Sequence, residues 1–97
     1  MKPTIEELRL QCRIDGGEED SLLKTYAGAA KSRAENYINR SLYDEAVPES
    51  DTDGLVITDD IKVAIMLAVG FWYENRESQA LPSGFKSLLE PYRFINL

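Results

Sequence analysis

The sequence contains no histidine and a single cysteine, Cys12. Without imidazole the chain lacks the commonest general base, the Ser-His and Cys-His nucleophile pairs and the usual zinc ligands. One thiol cannot close an intrachain disulfide, which fits a reducing compartment. Cys12 has no histidine to activate it and reads as a small buried residue. Paired acids such as Glu6-Glu7 and Glu18-Glu19-Asp20 stand where helices should start, so capping and the helix dipole account for them without acid-base work. No catalytic residue, cofactor site or metal site is assigned, and the chain is not expected to be an enzyme.

Long apolar runs are also missing. The longest stretch without a charge, Val63 to Tyr73, falls well short of the ~20 residues that a membrane-spanning helix needs. Met1-Lys2-Pro3 leads into Glu6 and Glu7 with no apolar signal core, so a soluble protein without membrane contact is expected. Basic residues are in the minority, 11 Lys and Arg against 17 Asp and Glu, for a net charge of −6. That balance disfavours a general clamp on phosphate. What is present, 97 residues with 43% hydrophobic and 29% charged, is the composition of one small globular domain spanning residues 1–97.

The pattern within it is helical. Thr4-Ile5-Glu6-Glu7 fits a capping box, so a first helix opens at Thr4 with Ile5, Leu8 and Cys12 on one face. Asp15-Gly16-Gly17 is a turn, and a second helix follows from about Glu18 to Asn39. Its apolar stripe runs through Leu23, Tyr26, Ala27, Ala30, Ala34, Tyr37 and Ile38, with small residues that let another helix approach closely. Arg9, Arg13, Lys24, Lys31, Arg33 and Arg40 make this half locally basic, which reads as a solvated face with weak ion pairs. A third helix is expected from Thr58 to Arg76, and a short one over Phe85 to Leu89 that Pro91 helps terminate. The fold class is therefore all-α, a small bundle of three main helices plus a short C-terminal helix.

Between helices two and three lies a long acidic loop. From Asp44 to Asp60 there are seven acids and no basic residue. Leu55-Val56-Ile57 is expected to form a short extended segment, or part of a ribbon turned at Asp53-Gly54. Glu49, Asp51, Asp53, Gly54 and Asp60 approach the spacing of a calcium loop, but Glu replaces Asp at the first position, Asp replaces Glu at the last, and Pro48 interrupts the entering helix. A solvated acidic loop is the preferred reading.

Helix three is apolar on two sides. Ile61, Ala64, Ile65, Ala68 and Trp72 line one face, and Val63, Met66, Leu67, Gly70 and Tyr73 the other, which two further helices should not suffice to cover. These last five are the candidates for a subunit interface. Phe71, Trp72 and Tyr73 fit packing better than base stacking, since only Arg76 follows them. Tyr92, Arg93, Phe94 and Ile95 begin an apolar tail, Tyr92 to Leu97, that is a docking candidate.

Several segments resemble the small head-tail connector proteins of tailed bacteriophages. They are Ile5-Glu6-Glu7-Leu8, Arg13-Ile14-Asp15, Leu22-Leu23, Ala29-Ala30, Tyr37-Ile38, Asp59-Asp60-Ile61-Lys62 and Ala64-Ile65. Trp72-Tyr73-Glu74-Asn75-Arg76-Glu77 and Leu88-Leu89 with Pro91-Tyr92-Arg93 extend the likeness over nearly the whole chain. The Leu42 to Thr58 loop is the departure, longer and more acidic than the family pattern. The resemblance implies an all-helical, non-enzymatic virion protein of the neck, assembled in the host bacterial cytoplasm. It also implies a homo-oligomeric ring of about twelve copies beneath the portal protein, with a tail or head-completion protein as its other partner, continuing the DNA channel after packaging. In such a ring Asp44, Glu45, Glu49, Asp51 and Asp53 are candidates to face DNA and repel it. Tyr92 to Ile95 become candidates for portal or tail docking. The alternatives are a small helical DNA-binding or regulatory protein and a related tail-completion adaptor. Net acidity and the long spacer between helices two and three weigh against a helix-turn-helix.

Overall fold

The computed structural model describes residues 1–78 and 80–95. The first helix, α1 (Ile5–Cys12), opens as the sequence predicts: the Thr4 hydroxyl accepts from the Glu7 amide while the Glu7 carboxylate accepts from the Thr4 amide. It ends at Arg13, whose left-handed backbone returns its amide to the last turn. After the glycine turn, α2 (Asp20–Ile38) runs until Asn39 adopts the same left-handed conformation. Asn tolerates that region better than most side chains. Thr58 then caps α3 (Asp59–Glu74) by accepting from the Ile61 amide, and α4 (Ser83–Leu89) follows. Pro91 sits inside a 3-10 turn, Glu90–Tyr92, that continues directly from α4. The α-helix ends at Leu89, and the chain tightens at the proline, whose fixed φ suits a first turn where its missing amide is not needed.

One cluster of buried side chains draws on every helix. Leu8 of α1, Leu23, Ala30, Ala34 and Ile38 of α2, six residues of α3, and Phe85 and Leu89 of α4 are buried in it. The small residues decide the geometry, since Ala30 and Ala34 of α2 and Ala64 and Ala68 of α3 are fully buried where the two helices pack. Trp72 closes the far end with its indole N–H donating to the Ala80 carbonyl at 2.9 Å and its ring tilted against Tyr26. This answers the expectation for the aromatic run: Trp72 is a core side chain.

The connection between α2 and α3 departs from a simple loop. Strand β1 (Leu42–Tyr43) pairs with β2 (Leu55–Val56) in parallel, Leu42 opposite Leu55 and Tyr43 opposite Val56. A ribbon turned tightly at Asp53-Gly54 would be antiparallel, so that expectation is corrected. The chain makes a wide excursion over residues 44–54 and comes back in the same direction, as a parallel pair requires. Buried Leu42 and Ile57 anchor the two ends of the excursion in the core. The N-terminal segment crosses this base, with the Met1 amino group donating to the Ile57 carbonyl and the Lys2 amide to Asp44.

Candidate functional site

The five candidates on the outer side of α3 are less bare than composition implies. Only Val63 is exposed, at 45%. Leu67 is half-buried against Gly84 of α4, where an added Cβ would stand 3.3 Å from the leucine methyl, and Gly70 lies under the Gln11 side chain of α1. Met66 packs against the core cluster. The Tyr73 hydroxyl donates to Glu19, a bond that pushes its pKa up, while Arg76 lies over its ring and pairs with Glu19. The short α4 and the close approach of α1 thus cover part of α3 from within, more than two further helices alone would, and leave Val63 exposed and the other four half-buried. On α1, Leu10 is the most exposed large apolar side chain among the described residues, at 78%.

The acidic excursion is structured at its base and open at its tip. Asp51 accepts from the Tyr43 hydroxyl at 2.6 Å, which raises the pKa of that phenol, and Asp44 accepts from the Lys2 amide. The Asp53 carbonyl faces the Arg40 guanidinium. Glu45, Glu49 and Asp53 are exposed. Among the described residues no three acidic or thiol side chains come together as a metal cluster.

The C-terminal docking candidates are partly held by their own chain. The Tyr92 hydroxyl donates to Asp60 at 3.0 Å. Arg93 stacks over Tyr37, whose hydroxyl donates to Glu90 with a consequent rise in pKa. The Phe94 amide donates to the Ile38 carbonyl, and the Phe94 ring lies beneath Arg40. Ile95 is free of such ties and 61% exposed. The rest of the expected tail, Asn96 and Leu97, lies outside the described residues.

The basic half of the sequence divides in two. Arg9 is consumed by a paired contact with Asp20, its Nε donating at 2.9 Å, and this holds α1 to α2 and lowers the Asp20 pKa. Lys24 and Lys31 instead flank a groove of about 460 Å³ between α1 and α2. Pro3, Thr4, Ile5 and Leu8 form one wall, Ala27 and Gly28 of α2 the floor, and Ile65 of α3 and Lys2 complete the lining. By sequence alone these lysines belong to an ordinary solvated face. The signal that marks them is their spacing, Lys24, Ala27, Gly28 and Lys31 at three- and four-residue steps, which stripes one side of α2.

Open apolar side chains, a lysine-flanked groove and an acidic excursion thus share one helical core. The family model for the phage gp6-like head-tail connector protein matches residues 2–93. The chain belongs to that family. Among curated proteins and among solved structures no significant match was found. The family is structural and not an enzyme class, and membership implies a place in the virion neck, among phage head and tail proteins. No helix among the described residues is long and apolar enough to cross a membrane.

Proposed function

We propose that the protein acts as one connector unit, about twelve copies of which form a ring beneath the portal and prolong the DNA channel toward the tail. The family match over residues 2–93 carries this reading. Three features of the chain support it. Val63 and Leu10 are open apolar side chains suited to a neighbouring copy, and Met66, Leu67, Gly70 and Tyr73 lie along the same helix with partial exposure. The exposed Glu45, Glu49 and Asp53, with Asp44 and Asp51 at the base, give each copy a projection of one sign. A ring of such projections around the channel repels the duplex and lets it pass without adhering. Ile95 and the Tyr92-Arg93-Phe94 segment form the edge that meets the portal or the tail-side protein.

Native mass spectra across a concentration series, with negative-stain images of any large species, test the ring. Closed assemblies of about a dozen subunits are expected. Open filaments or dimers as the largest species would contradict closure. Reversing the charge of Glu45, Glu49 and Asp53 tests the channel lining: DNA ejection should slow, and unchanged ejection and titre would remove these acids from the lumen.

A further inference from the structure

The groove between α1 and α2 is a local reversal of the protein's charge. Its lining includes Lys2, Lys24 and Lys31 and no carboxylate, in a chain of net charge −6. Its floor is small and apolar at Ala27 and Gly28, and a Cβ built on Gly28 meets nothing within 4 Å. Neither lysine of α2 takes part in a salt bridge among the described residues.

The opposite pattern stands on the other flank of α1. Leu10 and Val63 are exposed apolar side chains, and each has an exposed acid one helical turn before it, Glu6 before Leu10 and Asp59 before Val63. Residues four apart share a helix face, so each acid flanks its aliphatic neighbour. The Glu7–Lys62 ion pair, at 2.6 Å, and the Gln11–Gly70 contact hold α1 alongside α3, so the two acid-aliphatic pairs stand on helices packed side by side. Five residues separate Ile5, which lines the groove, from Leu10, a rotation of about 140° around α1. On α1 the groove face and the Glu6-Leu10 face therefore point away from each other.

We propose that the lysine-flanked groove receives the Glu6-Leu10 and Asp59-Val63 pairs of a second copy of this chain. The proposal rests on the connector reading and names the surfaces by which copies meet. The apolar side chains fill the floor over Ala27 and Gly28, and the flanking acids pair with Lys24 and Lys31. Because the two surfaces differ and, on α1, lie on opposite flanks, the contact is head-to-tail, the kind that builds a ring when its rotation closes. A volume of about 460 Å³ has room for both aliphatic side chains. The acidic excursion is left unoccupied by this contact.

Two measurements decide it, each on folded protein verified by circular dichroism. The first is carbodiimide cross-linking of the wild type at millimolar concentration, which joins amines to carboxylates in direct contact. Links from Lys24 or Lys31 of one copy to Glu6 or Asp59 of another are expected. Inter-subunit links that avoid these pairs, or none at all, overturn the proposal while leaving family membership in place. The second is a charge swap. The K24E/K31E and E6K/D59K proteins should each lose self-association, and an equimolar mixture of the two should regain it, because every contact in an alternating assembly is again between opposite charges. Variants that associate as the wild type does, or a mixture that stays dissociated, overturn it as well. If the wild type forms rings while these variants do too, the connector reading survives and the interface lies elsewhere.

Discussion

The amide of Phe94 donates to the carbonyl of Ile38 at 2.7 Å, so the C-terminal segment satisfies an acceptor at the open end of α2. Helix ends leave such carbonyls without an intrahelical donor. The same residue sets its ring beneath Arg40, which also reaches the Asp53 carbonyl. The C-terminal segment, the end of α2 and the acidic excursion thus meet around Arg40.

Replacing Phe94 by proline deletes that donor. The F94P protein should lose about 1 kcal/mol of stability relative to F94A, which keeps the amide and removes only the ring. Urea denaturation of the two variants beside the wild type measures the difference. Equal midpoints would show that water replaces the bond at no cost.

Gly54 is required by close approach. A Cβ there would stand 2.7 Å from the Tyr43 ring and 2.9 Å from the Val47 methyl. G54A should destabilise the excursion by about 1–3 kcal/mol, as overpacking does. It should also release the Tyr43–Asp51 bond, visible as a fall of the tyrosine pKa in ultraviolet titration. A G54A protein with unchanged melting would contradict the packing.

The small interface between α2 and α3 makes its own demand. Ala30 and Ala34 are fully buried, so A30L forces the helices apart at a cost of about 1–3 kcal/mol. The exposed A29L on the same helix should change little. Thermal melts of the pair provide the comparison.

Stability should hold a plateau between acid and alkaline limits. Glu7 is lowered by its hydrogen bond to Lys62, and Asp20 by its bond to Arg9. A depressed folded pKa gives stability that is present above the unfolded value, about 4, and is lost as pH falls through the folded one. Tyr37, Tyr43 and Tyr73 are raised by donating to Glu90, Asp51 and Glu19. Their contribution is full below the unfolded phenol value, about 10, and declines as pH rises through the folded one. All five groups are partly exposed, so solvent screens them and the slopes are shallow. Denaturation midpoints measured from pH 3 to 11 check both edges, and a Y43F protein should show a shallower alkaline one, since Tyr37 and Tyr73 keep their partners.

The helices were legible because their signals are local. Thr4 with Glu7, Thr58 and the alanine stripe at Ala27, Ala30 and Ala34 each act within a turn or two of chain. The parallel pairing of Leu42 with Leu55 was not, because it depends on where the excursion returns, and no residue within it records that direction. The covering of Leu67 by Gly84 and of Gly70 by Gln11 depends on long-range packing in the same way. The acidic residues of the candidate site stood out as a run, whereas the groove did not. Its lysines gain meaning only when Ile5, Leu8 and Ile65 arrive beside them from other elements.

The most direct test of the central claim is made in the virion. A phage carrying a stop codon early in this chain should accumulate heads and tails that remain unjoined in electron micrographs, and adding the purified protein to the lysate should join them and restore infectivity. Complete, infectious particles formed without the protein would contradict its role as a head-tail connector.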